Sequence, residues 1–106
     1  MNEQERPGIV SACEALLIAY ARHVDFKEYD QFAALFTQED SLNACGPLSA
    51  RAAIQTAMVK HPNELRSRHV LTNIYVDAID DNNAAGITYR TLYRHMGEES
   101  LIEDPV

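Results

Sequence analysis

The sequence predicts an α+β domain whose N-terminal helices pack on one face of a curved antiparallel sheet. Three observations predict it. Up to His61-Pro62 the apolar residues recur at helical spacing. Beyond that point Val, Ile, Leu, Thr and Tyr dominate two stretches, each long enough to be a strand. Between the two lies Asp80-Asp81-Asn82-Asn83, a turn by composition.

Taken in order, Ile9, Cys13, Leu16, Leu17, Tyr20 and Val24 form one stripe of a helix over about 8–24. Pro7 suits its first turn, where a missing N–H costs nothing. Tyr29, Phe32, Ala33 and Phe36 mark a shorter helix over about 27–36. Leu42 to Cys45 is a short strand candidate closed by Gly46-Pro47. Ser49 is placed to cap a third helix with Ala53, Ile54, Ala57 and Met58 on its apolar face, stopped by Pro62. Arg68 to Ile79 and Ala84 to Met96 then read as the two arms of an antiparallel hairpin. Glu98 to Asp104 carries four acids and no base, the pattern of a solvated loop.

At 106 residues with no repeat and no linker, residues 1–106 read as a single domain. Nine Lys and Arg against sixteen Asp and Glu give a net charge of −7. No basic face can be assembled from that balance, so nucleic acid is not an expected partner. An anionic membrane surface is excluded on the same ground. No apolar run reaches membrane-span length and the N-terminus is too polar for a signal peptide, so a cytoplasmic location is expected. Cys13 and Cys45 then read as small buried hydrophobes, not a disulfide.

The chemistry-bearing residues cluster at two places. Asp25 falls at the end of the first helix, where the helix dipole presents partial negative charge. Facing an apolar cavity there, it would be suited to proton work. Equally, Asp25-Phe26-Lys27-Glu28 fits an N-cap for the second helix. His69 stands near the start of the first long strand, and alternation aims it with Leu71, Asn73 and Tyr75. A His and an Asn on an otherwise apolar face suit a pocket. On the second strand Tyr89, Thr91, Tyr93 and His95 share a face. Pairing Ile79 with Ala85 sets His69 opposite His95, with the tyrosines inside and Arg90 and Arg94 outside; a one-residue slip inverts that. Tyr20, one turn before Asp25, is placed to offer its hydroxyl to a substrate oxygen. His23 and His61 read as exposed. No glycine-rich phosphate loop, nucleophile elbow or Cys-x-x-Cys is present, and nothing in the spacing calls for a metal or other cofactor.

Three ordered stretches carry a family resemblance. They are Tyr20-Ala21-Arg22-His23-Val24-Asp25-Phe26-Lys27-Glu28-Tyr29 with Phe32 and Leu35-Phe36-Thr37; Gly46 through Ala53-Ile54; and Arg68-His69-Val70-Leu71-Thr72-Asn73 leading into Asp80-Asp81. In combination they resemble the NTF2-like superfamily, in its SnoaL-like and scytalone-dehydratase-like branch. The resemblance implies a cone-shaped α+β barrel around an apolar pocket. It also implies that Asp25 pairs with His69 as a cofactor-independent acid–base couple, with Tyr20, Asn73, Tyr89, Tyr93 and His95 against the substrate. The expected activity is a lyase or isomerase (dehydratase-like) acting on a small apolar, cyclic molecule. The rival expectations are a non-catalytic binding or dimerisation module, or the small subunit of a ring-hydroxylating oxygenase. Family members usually continue past the second long strand, whereas this chain stops at Val106. A truncated chain or a sheet completed by a second subunit would account for that, and unpaired strand edges make a homodimer the expectation.

Overall fold

The computed structural model describes residues 1–44 and 46–96. Their order is α1 (Arg6–Asp25), α2 (Tyr29–Ala33), β1 (Ser41–Ala44), β2 (Gly46–Ser49), α3 (Arg51–Val59), β3 (Leu65–Ala78) and β4 (Ala84–Met96). This is the expected α+β arrangement, with α1 running along β3. Among the described residues the strands form two antiparallel pairs, β1–β2 and β3–β4, and these do not by themselves close a barrel. Cys45 and the acidic stretch from Glu98 lie outside the described residues.

The end of α1 sets up everything that follows. Lys27 N–H donates to the Val24 carbonyl (3.1 Å) and Glu28 N–H to that of His23 (2.8 Å), with Lys27 in the left-handed region at φ 57°. That is a Schellman stop, which a residue bearing a Cβ adopts at a cost of about 1 kcal/mol. The Lys27 ammonium in turn donates to the Leu65 carbonyl, tying the stop to β3. With Lys27 held so, α2 cannot begin at 27. It starts at Tyr29 behind Glu28, without a side-chain cap. Asp25 is therefore the last residue of α1 and not the N-cap of α2.

Two other expectations are corrected. Gly46-Pro47 is not a turn but lies in β2, with Pro47 opposite Asn43; a two-stranded ribbon tolerates the missing N–H. Ser49 ends β2 and does not cap α3, which follows Ala50 at φ 77° with no side-chain cap.

The core lies between α2 and α3. Phe32 and Ile54 are fully buried and Met58 nearly so, with Tyr20, Val24, Tyr29, Phe36, Leu42 and Leu48 packed around them. Tyr20, Phe32 and Phe36 meet edge to face, with centroids 4.9 and 5.3 Å apart along the row. Burying side chains of this size contributes roughly 1.5–3 kcal/mol each.

The β3–β4 hairpin departs from a plain ladder. Ala78 pairs with Ala84 and Tyr75 with Ile87, but Thr72 pairs with Tyr89. Asn73 and Ile74 thus oppose Thr88 alone, a β-bulge, with Asn73 at φ 53°. Beyond it His69 faces Leu92, and neither register considered from the sequence is the observed one. Among the described residues no helix is long and apolar enough to cross a membrane.

Candidate active site

Among the described residues β3 has no strand on its second edge, and side chains from both ends of α1 satisfy backbone groups there. Arg6 donates to the Ala78 carbonyl (2.6 Å) at one end. At the other, Asp25 Oδ2 accepts the His69 backbone N–H (2.8 Å). Covering the edge this way fixes where the Asp25 carboxylate sits. Its Oδ1 then accepts twice more, from Ser67 Oγ (2.8 Å) and from His69 Nδ1 (2.6 Å). Both side chains of the pair are only 7% exposed.

A carboxylate oxygen flanked by such donors can only accept, so the proton of His69 resides on Nδ1. Nε2 is left as the basic atom. The pair therefore has the arrangement of an oriented general base: one carboxylate, held by three donors, fixing the tautomer of one imidazole.

A cavity of about 190 Å³ opens beside the pair. Its apolar wall is Val24, Phe32, Leu42, Met58, Leu65 and Leu92, and its polar wall is Tyr20, Tyr29, Lys27, His61, Ser67, His69, Arg90 and Arg94. A void of roughly 150 Å³ suffices for benzene, so this one admits a single substituted ring. A more open hollow of about 420 Å³, lined by Ala21, Phe26 and Ile74 among others, also reaches Asp25 and His69. Burial pushes the Tyr20 hydroxyl above its ordinary pKa, and the positive charge of Arg90 partly opposes that. Burial raises Tyr29 as well. Both phenols are thus neutral hydrogen-bond donors at physiological pH.

Of the residues singled out from the sequence, Asp25 and His69 are hydrogen-bonded to each other, and Tyr20 lines the same cavity as His69. The structure does not bring the other expected residues to them. Asn73 is exposed at the bulge, and Tyr75 and Tyr89 are exposed on the opposite face of the hairpin. Tyr93 lies opposite Arg68, and His95 opposite Arg66, on that same outer face. The cause is register. The extra residue in β3 leaves the even-numbered residues of β4 on the face of His69, so Leu92 and the solvent-exposed Arg90 and Arg94 line the cavity and the tyrosines lie on the other face.

The sequence pattern gives no site role to His61, Tyr29 or Lys27, all of which line the cavity. His61 Nδ1 donates to the Met58 carbonyl (2.9 Å) at the end of α3, leaving its Nε2 as an acceptor. The position of His61 just after the last turn of a helix is the signal that could have found it. Among the described residues no group of three His, Cys, Asp or Glu converges on a metal-sized site.

Comparison with solved structures places this geometry in a known fold. A protein of Novosphingobium aromaticivorans DSM 12444 assigned as a scytalone dehydratase superposes with TM-score 0.70 at 18% identity, over 85% of this chain and 62% of that one. Aln2 of a Streptomyces species gives 0.73 at 18% identity, over 83% and 66%. ActVI-ORFA of Streptomyces coelicolor gives 0.69 at 13% identity, over 81% and 69%. The chain thus spans less than two thirds of the length of the first two. No curated protein matches it. The SnoaL-like domain, however, matches residues 9–103, nearly the whole chain. The chain belongs to the SnoaL-like family of the NTF2-like fold.

Proposed function

We propose that the protein is a cofactor-independent acid–base enzyme, a lyase or isomerase acting on a small, largely apolar cyclic molecule. One observation carries the reading: His69 Nδ1 bound to Asp25 Oδ1 at 2.6 Å, on the wall of a ring-sized cavity. His69 Nε2 takes a proton from carbon next to a substrate carbonyl. The C–H electron pair moves toward the carbonyl, whose oxygen accepts a hydrogen bond from Tyr20. In a dehydration the pair then closes a C=C bond as the β-hydroxyl departs, and the imidazolium returns the proton to it as water. In an isomerisation the proton returns to a different carbon. Asp25 stabilises the imidazolium in between.

The non-catalytic module is disfavoured by one detail. A carboxylate serving only as a helix cap would turn to its own backbone, whereas Asp25 spends both oxygens on β3. The homodimer expected from unpaired strand edges remains part of the proposal. It is supported by the exposed Tyr75, Ile87 and Tyr89 on the outer hairpin face, and sedimentation velocity tests it.

The experiment for the activity is a screen of hydroxylated and unsaturated cyclic ketones for loss of water or proton exchange. His69→Gln is expected to lower kcat by about 10²–10⁴-fold on any substrate found. Full activity in that variant sinks the mechanism.

A further inference from the structure

Charge is distributed in a way the acid–base reading does not use. The chain carries nine Lys and Arg in all and a net charge of −7, yet three of those cations, Lys27, Arg90 and Arg94, line the ring-sized cavity. Among the described residues no Asp or Glu lines it. Asp25 stands behind His69 with both oxygens already committed to Ser67 and His69. Lys27 is held by the Leu65 carbonyl. Among the described residues Arg90 and Arg94 form no ion pair.

Their placement is specific. Arg90 pairs with Leu71 and Arg94 with Ser67, so along β4 the two arginines flank Leu92, which lies directly opposite His69. Among the described residues these two exposed cations have no carboxylate partner, and both stand beside an apolar wall. A planar carboxylate matches the guanidinium fork.

We propose that the substrate is a small ring compound bearing a carboxylate, its anionic group held by Arg90 and Arg94 and its ring against Leu92, Phe32 and Met58. This rests on the acid–base reading for the reaction but not for the binding. A carboxylate seated there leaves the ring beside His69 Nε2, and the same cations stabilise negative charge that develops on an adjacent carbonyl.

The test is calorimetric titration of the full chain with benzoate and with its neutral isostere benzamide. Benzoate is expected to bind at least about ten-fold more tightly, as charge-assisted bonding would give. Its affinity falls as salt is raised, while that of benzamide holds. In the Arg90→Gln/Arg94→Gln double variant the preference shrinks to about two-fold or less, benzamide binding reporting that the cavity is intact. The salt series on the unaltered protein decides the matter should that variant not fold. Equal binding of the two probes, no benzoate binding, salt-independent binding or a preference that survives the double substitution each overturns the anion site. His69→Gln keeps the benzoate preference in every case. A preference present in that variant alongside undiminished turnover therefore removes the acid–base reading and leaves the anion site standing.

Discussion

The imidazole of His69 and the carboxylate of Asp25, 44 residues apart in sequence, share a 2.6 Å bond between Nδ1 and Oδ1, and the same carboxylate receives the His69 backbone N–H. One side chain thus orients both the ring and the strand that carries it. That double attachment makes the geometry hard to disturb in part.

Asp25→Asn tests it most directly. An amide nitrogen at the Oδ1 position would face the Ser67 hydroxyl and require His69 Nδ1 to accept, moving the ring proton to Nε2 and abolishing the base. At the Oδ2 position it would oppose the His69 N–H, donor against donor. Either orientation costs about 1–3 kcal/mol of stability; the first also loses the tautomer and lowers kcat by about 10²–10⁴-fold, whereas the second keeps the Nδ1 proton and loses only the negative charge that stabilises the imidazolium. Ser67→Ala removes one of the three donors to the carboxylate and leaves the tautomer alone, so it costs about 0.5–1.5 kcal/mol and less than ten-fold in rate. Nitrogen-15 shifts of the His69 ring distinguish the two variants.

Tyr20 supplies a pH dependence whose sign follows from burial. Its folded-state pKa lies above the ordinary 10.0, chiefly because the phenolate would be desolvated, with Arg90 opposing in part. Below pH 10 both states are neutral and the contribution is fully present. Above it the unfolded chain ionises first, so stability declines as pH rises through the raised value. Tyr29 shifts the same way for the same cause. Urea midpoints measured between about pH 9 and about pH 11 should fall more steeply for the unaltered protein than for Tyr20→Phe. Parallel slopes would contradict it.

How far the sequence alone reached is clearest on the hairpin. The arm from Ala84 to Met96 and the turn at Asp80 are legible because local chemistry specifies them: the Asp80 carboxylate accepts from Asn82 N–H (2.8 Å) and Asn83 Nδ2 (3.0 Å). Asp25 and His69 are legible as types, an acid ending a helix and a histidine beginning an apolar strand. Register is not legible. It depends on where one extra residue is stored, and Asn73 inside a run of Val, Leu, Thr, Ile and Tyr gives a weak sign of that. His61 and the arginines were missed for the same reason: cavity walls are made by tertiary register, whereas periodicity reports only one element at a time. The α2 boundary failed differently, because a lysine in the left-handed region at position 27 runs against the glycine or asparagine that usually marks such a stop.

Asn73 accordingly stores the one-residue shift in register between the turn and the Asp25–His69 pair. Before the bulge, toward the turn, Tyr75 opposes Ile87; were that register carried on unbroken, Tyr93 would oppose His69 in place of Leu92, and the tyrosines would replace the arginines inside. The residue that stores the bulge sits at φ 53° and is exposed, so its backbone conformation and not its side-chain contacts is what the fold requires. Asn73→Gly should be within about 0.5 kcal/mol of neutral in urea unfolding, since glycine enters the left-handed region freely. Asn73→Val should cost roughly 1–2 kcal/mol, because a β-branched side chain clashes there. Deleting Asn73 goes further: the ladder becomes regular while Thr72 still meets Tyr89 and His69 still meets Leu92, so Arg90 and Arg94 stay on the His69 face and the preference for benzoate over benzamide is kept. A deletion variant that folds and loses that preference would show that the extra residue does more than set the register of the two strands.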